Sequence, residues 1–271
     1  MLKDITIGQY VDTNSIIHKL DPRTKILLLF VFLVVLFSTA NPVGYVILAA
    51  FTFLVVILSK IPIKYILRGM KTIMFILVFT MMLNLFVTPG RIVWSMKILP
   101  SWTVEITAEG IKMAILLFFR LLFLVVMSSL LTLTTSPVSL TDGIEKLLKP
   151  FEIIKVPAHE IAMMMTIAIR FIPTLAEEAD KIMKAQMARG ADFSSGNIIN
   201  RTKALLPLLV PLFVSAFRRA DDLATAMDAR CYHGGKNRTR MKEIKMSRID
   251  LAAALCMAGL CVLVFFADKI V

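Results

Sequence analysis

The sequence predicts an all-α integral membrane protein with about five transmembrane helices and a set of long helices outside the bilayer. Three observations predict it. The first is composition: 58% of the 271 residues are hydrophobic, 18% are charged, and the mean hydropathy is +0.78. A soluble domain carries about 45–50% apolar and ~25% charged residues, so the excess apolar surface must face lipid. The second is five apolar stretches that approach the ~20 residues needed to cross a bilayer. The third is a long basic segment, residues 135–248, that contains no span. A water-soluble enzyme, a disordered chain and a secreted disulfide scaffold are excluded. The net charge of +12 is read as loops lying against anionic lipid rather than as a nucleic-acid surface. Cys231, Cys256 and Cys261 form neither an even framework nor a CxxC pair.

Taken in order, the expected spans are Lys25–Ser38, Val43–Ser59, Thr72–Thr88, Ile111–Leu133 and Ile249–Ala267. The first is short and borrows flanking residues. Ala40, Asn41 and Pro42 make a tight uncharged turn after it. Ser38-x-Ala40 imitates a signal-peptidase site, but 24 polar-rich residues precede the run and a second span follows at once. Lys3, Lys19, Arg23 and Lys25 precede the first span, and Lys60, Lys64, Arg68 and Lys71 follow the second. The loop from Pro89 to Gly110 mixes Arg91 and Lys97 with Glu105 and Glu109, and residues 135–248 hold 18 Lys plus Arg. Positive charge marks the N-terminus, the second loop and the long segment as cytoplasmic, and five crossings put the C-terminus outside. The expected organisation is a membrane region 1–134 with four spans, an interfacial region 135–248, and a final span in 249–271. Arg120 lies inside the fourth span, where exposure to lipid is costly, so it is expected to face protein.

The segment 135–248 reads as helices. Thr141 and Asp142 are candidates to cap a short helix ending at Pro150. A second runs from Ala158 to Arg189 and stops at Gly190, with Pro173 expected to kink it. A third runs from Ile198 to Arg230, terminated by Gly234 and Gly235. Both long helices begin apolar, contain proline and end charged, which suits the membrane interface with protein cover. They are also related by a repeat. Ala179, Asp180, Ala185, Ala188 and Arg189 recur as Ala220, Asp221, Ala226, Ala229 and Arg230, every pair 41 residues apart. The alanines share one helical face, which lets another backbone approach. A terminal Arg suits the negative end of the helix dipole, and its fork grips carboxylates or carbonyls. One such end is ordinarily a solvated Arg; two alike imply two similar partners or one two-fold partner.

Enzyme motifs are weak. Asp221, Asp222 and Asp228 resemble the acid-rich diphosphate motifs of membrane prenyltransferases, but their spacing does not repeat by turns and Arg218 and Arg219 adjoin them. Cys231 and His233 lack the further ligands of a zinc site. His18, His159 and His233 are scattered. Gly234-Gly235-Lys236 lacks the earlier Gly of a P-loop, and Asn237 replaces the Ser or Thr. No catalytic residue, metal site or cofactor is assigned to this chain.

Several motifs together resemble one family. They are Leu20-Asp21-Pro22-Arg23-Thr24-Lys25, Thr132-Leu-Thr-Thr-Ser-Pro137 and Leu140-Thr141-Asp142-Gly143. Then follow Arg170-Phe-Ile-Pro173, Ala185-Gln186-Met187-Ala188-Arg189-Gly190, Arg218-Arg219-Ala220-Asp221 and Ala226-Met227-Asp228-Ala229-Arg230-Cys231. Over nearly its whole length the sequence resembles the transmembrane T component, EcfT or CbiQ, of energy-coupling factor transporters. The resemblance implies a coupling subunit of an ABC-type importer in the cell membrane. Two ABC-type ATPases, different or identical, would receive the two coupling-helix ends Ala188-Arg189-Gly190 and Ala229-Arg230-Cys231. Asp180, Ala185, Asp221 and Ala226 would support those ends. A separate S component would bind a vitamin or metal ion, and ATP and Mg would sit on the partner ATPases. The 17 methionines, among them Met81, Met82, Met163, Met164 and Met165, suit either gap filling or a surface that repacks against several partners. Two other readings compete. A self-sufficient carrier wants paired intramembrane charges, where only Arg120 is deep. A prenyltransferase rests on Asp221, Asp222 and Asp228.

Overall fold

The computed structural model describes residues 10–99, 102–191, 198–235 and 246–270. The elements, in chain order, are α1 (Pro22–Ser38), α2 (Pro42–Ser59), α3 (Ile63–Val87), β1 (Ile92–Leu99), β2 (Trp102–Thr107), α4 (Ala108–Thr134), α5 (Pro137–Leu148), a 3-10 turn (Lys149–Ile154), α6 (Ala158–Ala188), α7 (Ile198–Asp228) and α8 (Arg248–Ile270). Two compact units emerge. One comprises Gly8–Gly143 with Ile244–Val271, the other Met1–Ile7 with Ile144–Glu243. Lys3, Lys236 and Asn237 lie outside the described residues.

The first unit is the membrane unit. Its core is made by Phe32 and Leu36 of α1, Tyr45 and Leu48 of α2, Phe123, Leu130 and Leu133 of α4, and Met257, Leu260 and Val264 of α8. The opposite faces carry exposed large apolar side chains, among them Phe30, Val46, Phe53, Phe75 and Phe265. An apolar shell around an apolar core is the pattern of helices solvated by lipid. Among the described residues, α2, α4 and α8 are long and apolar enough to cross a membrane. The α3 helix makes a fourth span if its two parts, bent by 59° around Thr72, are counted as one. The α1 helix has 17 residues and starts on Pro22, with Asp21 as N-cap accepting from the Arg23 amide at 2.9 Å.

The region from Pro89 to Gly110, expected as a loop, contains an antiparallel hairpin that pairs Ile92 with Thr107 and Leu99 with Trp102, its register shifting between Ile92 and Trp94 and again between Lys97 and Leu99. Alternation of Trp102, Val104 and Ile106 with Thr103, Glu105 and Thr107 carries that strand signal. Thr107 then joins hairpin to helix. Its Oγ1 caps α4 by accepting from the Gly110 amide at 3.0 Å and donates to the Thr88 carbonyl at 2.8 Å. Gly110 permits close passage of α3, since a Cβ there would stand 3.1 Å from the Leu85 carbonyl oxygen.

The second unit holds the rest of α5, the 3-10 turn, α6 and α7. The α5 helix begins at Pro137, four residues before the expected cap at Thr141 and Asp142. Ser136 caps it, accepting from the Ser139 amide at 3.2 Å, and Pro137 at the first position needs no N–H partner. The α7 helix ends at Asp228, so Gly234 and Gly235 do not terminate it. They pass over the start of α6 instead, where a Cβ on Gly235 would collide with His159.

Candidate partner-docking site

The ends of α6 and α7 carry the residues the repeat singles out, and their backbones close in the same way. At the first, the Arg189 amide donates to Gln186 O at 3.1 Å, Gly190 to Met187 O at 3.0 Å and Ala191 to Gln186 O at 3.0 Å. At the second, Arg230 donates to Met227 O at 3.1 Å, Cys231 to Asp228 O at 2.9 Å and Tyr232 to Met227 O at 3.1 Å. These three bonds span the same number of residues at both ends, and the Arg189 amide is also shared with Ala185 O at 3.2 Å. This double closure satisfies the last carbonyls of a helix and requires a left-handed residue after the terminal Arg. Gly190 has φ 88° and Cys231 has φ 55°. The 41-residue repeat is therefore a repeat of geometry as well as of letters.

Both ends are bare. Ala185, Ala188, Arg189 and Gly190 are exposed, as are Ala226, Ala229, Arg230 and Cys231. The supporting acids differ in use. Asp180 pairs with Lys184 across one turn at 2.7 Å, whereas Asp221 is exposed and its backbone carbonyl accepts the Thr225 hydroxyl at 2.9 Å. The two small-residue faces and their arginines are thus exposed at both ends.

Among the described residues, two polar side-chain contacts join α6 to α7. Glu178 accepts from the Arg219 guanidinium at 3.2 Å, and Gln186 donates its side-chain amide to the Pro207 carbonyl at 3.3 Å. The second has a covalent cause. In a helix, Pro207 O would accept from residue 211, but that residue is Pro211 and has no N–H. The orphaned carbonyl is satisfied from α6. Since 178 meets 219 and 186 meets 207, the helices run antiparallel. From Pro207 to Arg230 the helical rise amounts to about 35 Å at 1.5 Å per residue. The two arginine ends therefore lie at opposite ends of the pair. Leu206, Val210, Phe213, Val214 and Phe217 form an exposed apolar stripe along α7.

In the membrane unit, three of the motif segments converge. The Lys25 ammonium donates to Thr134 O at 2.9 Å and to Thr135 Oγ1 at 3.2 Å. A Cβ on Gly143 would come within 3.0 Å of the Pro22 side chain. Asp250, at the start of α8, accepts from the Asp21 amide at 2.8 Å and caps its own helix through the Ser247 amide at 2.7 Å. The His18 ring bridges Ser15 Oγ at 2.7 Å and Val11 O at 2.8 Å, and the Val11 amide donates to Leu133 O at 3.0 Å. The sequence analysis did not single out Asp250. Its signal was available: it is an acid at the head of an apolar span, where charge demands a partner. Arg120 faces protein as expected. Its Nε donates to Tyr45 Oη and its Nη2 to Thr39 O, both at 3.0 Å, and the guanidinium lies 5.5 Å from the Phe37 ring centre. No group of three or more metal-ligating side chains occurs among the described residues.

The chain is a multi-pass helical membrane protein with two alike, exposed helix ends. The sequence profile of the CbiQ family, described as a cobalt transport protein, matches residues 13–241. The chain is 57% identical over 261 residues to the energy-coupling factor transporter transmembrane protein EcfT of Thermosediminibacter oceani, covering 96% of this chain and 97% of that one. It is 55% identical to the protein of the same name from Ruminiclostridium cellulolyticum, covering 93% and 92%, and 43% identical to that of Bacillus subtilis, covering 98% and 99%. The chain belongs to the EcfT/CbiQ family of energy-coupling factor transporter transmembrane proteins. It is a transporter component and not an enzyme, since the relatives carry transporter names.

Proposed function

We propose that this chain couples ATP hydrolysis on two ABC-type ATPase subunits to movement of a substrate-binding S component that carries a vitamin or a metal ion. Each ATPase takes one arginine end, Ala188-Arg189-Gly190 or Ala229-Arg230-Cys231. ATP and Mg are held by the ATPases, and this chain binds no nucleotide. The N-terminus and the second unit face the cytoplasm, the side that positive loops select, and the C-terminus faces outside. The exposed apolar stripe of α7 meets the membrane interface or the S component. The observation that carries the reading is the like closure of two exposed helix ends, at opposite ends of one antiparallel pair. That is the arrangement two similar partners require.

The test is uptake in cells together with co-purification of the ATPases. Arg189→Ala and Arg230→Ala should each weaken assembly or uptake while leaving the membrane unit folded. Loss of a charged contact at a desolvated interface costs about 2–5 kcal/mol. A solvated terminal Arg contributes only about 0.3–1 kcal/mol through the dipole. Arg→Lys should rescue poorly, because Lys lacks the planar fork. Normal uptake and normal complex yield in the double variant would return both arginines to a solvated role.

A further inference from the structure

The membrane unit contains a cavity of about 250 Å³ between the segment before α1, the start of α1, the ends of α2 and α4, and the start of α8. All its lining residues except Lys25 and Thr134 are apolar. Those two present no polar group to it. The Lys25 ammonium is spent on Thr134 O and Thr135 Oγ1, and the Thr134 hydroxyl on Leu130 O at 2.7 Å. A polar solute would lose its hydrogen bonds on entry. An apolar cavity of ~150 Å³ already holds benzene, so this one takes a longer piece of hydrocarbon. It is also open. Ile16, Leu54 and Leu58 line it and are 53%, 48% and 39% exposed, so its walls reach the outer surface of the helices.

Three lining segments are flanked by exposed cations. Lys19 adjoins Leu20, Lys60 follows Leu58 by two residues, and Arg248 adjoins Ile249. The acids at the same end are Asp21 and Asp250, buried and already accepting backbone N–H groups, and the exposed Asp12, next to Thr13, whose hydroxyl donates to Ser59 O at 3.0 Å. Lys19, Arg23, Lys25, Lys60 and Arg248 outnumber these three acids. The net field at this end is positive. We propose that the cavity is a site for one acyl chain of an anionic phospholipid, whose headgroup is held at the rim by Lys19, Lys60 and Arg248. Hydrocarbon occupies the cavity, and the cations select the headgroup.

The test uses the full chain with Leu54→Trp as a cavity reporter, in a Trp94→Phe/Trp102→Phe background, reconstituted in phosphatidylcholine vesicles. Brominated phosphatidylglycerol or brominated phosphatidylcholine is added as quencher. A second reporter, Val262→Trp, sits on an exposed face of α8 away from the cavity. At the cavity reporter the anionic lipid is expected to quench at a mole fraction at least fivefold lower than phosphatidylcholine, a factor that one surface cation supplies. At Val262→Trp the two lipids should quench alike. Lys19→Gln/Lys60→Gln/Arg248→Gln should erase the preference. Ala253→Phe, which fills the cavity and keeps the cations, should erase it too. Equal quenching by both lipids at the cavity reporter would overturn the proposal. So would absence of quenching there, as a closed cavity or one filled by a protein helix would give. So would a preference that survives Ala253→Phe, since the cations alone would then account for it.

Discussion

Cys231 stands at φ 55° where its counterpart Gly190 stands at 88°. A left-handed conformation costs a residue with a Cβ about 1–2 kcal/mol, and glycine nothing comparable. Cys231→Gly should therefore raise the stability of the α7 end by about 1 kcal/mol, read as slower amide exchange at Tyr232, while ATPase co-purification is unchanged. A cysteine whose side chain itself contacts the ATPase would instead give weaker assembly. Asp250 offers the opposite case. It accepts from the Asp21 and Ser247 amides with different oxygens, so Asp250→Asn keeps one acceptor and loses the other. Leaving one buried N–H unpaired costs about 1–3 kcal/mol, which thermal unfolding in detergent would detect. An unchanged midpoint would mean that water satisfies the lost bond.

At the scale of elements, the contact between Gln186 and Pro207 is decided by Pro211. Gln186→Leu should cost at most about 1 kcal/mol, the net worth of one hydrogen bond, since the Pro207 carbonyl lies at an exposed position. Adding Pro211→Ala should recover part of that loss, because residue 211 regains the N–H that carbonyl needs. Hydrogen exchange over residues 178–191 and 205–220 measures both. Additive losses would show that the proline matters only as a kink. The helices α6 and α7 were legible in the sequence because apolar fronts, charged ends, terminal Arg residues and the 41-residue offset agree, although Gly234 and Gly235 do not stop α7. The hairpin Ile92–Thr107 was hidden by its mixed charges, which read equally well as a loop. The start of α5 was misplaced because Thr141 and Asp142 look like a cap, while the true cap, Ser136, precedes a proline that fits only the first turn. The cross-chain partners of Arg120, Lys25 and Asp250 join residues 75 to 229 positions apart, and no local pattern announces such pairs.

For the whole molecule, the charge asymmetry of the loops predicts the topology. With Cys231, Cys256 and Cys261 replaced by Ala, a membrane-impermeant maleimide should label Asn41→Cys from outside intact cells. It should label Lys64→Cys only after the cells are opened. The reverse pattern would invert the topology and place the arginine ends away from any cytoplasmic ATPase. The likeness of the two Arg ends was readable because the same geometric demand, a left-handed residue behind a helix-terminal Arg, is written twice. The apolar cavity was not, because its walls come from five separate stretches of chain.

The antiparallel run of α6 and α7 decides how this pair bears load. Tension applied at Arg189 and Arg230 pulls the two helices past each other along their length. Such a joint is loaded in shear, so the Glu178–Arg219 and Gln186–Pro207 contacts resist together. A parallel pair pulled from one end would peel, yielding one contact at a time. The long axis of each helix is also the direction of its backbone hydrogen bonds, its stiffest direction. If the proposed ATPases pull on these two tips, the pair is loaded as a riveted strut is, along its length.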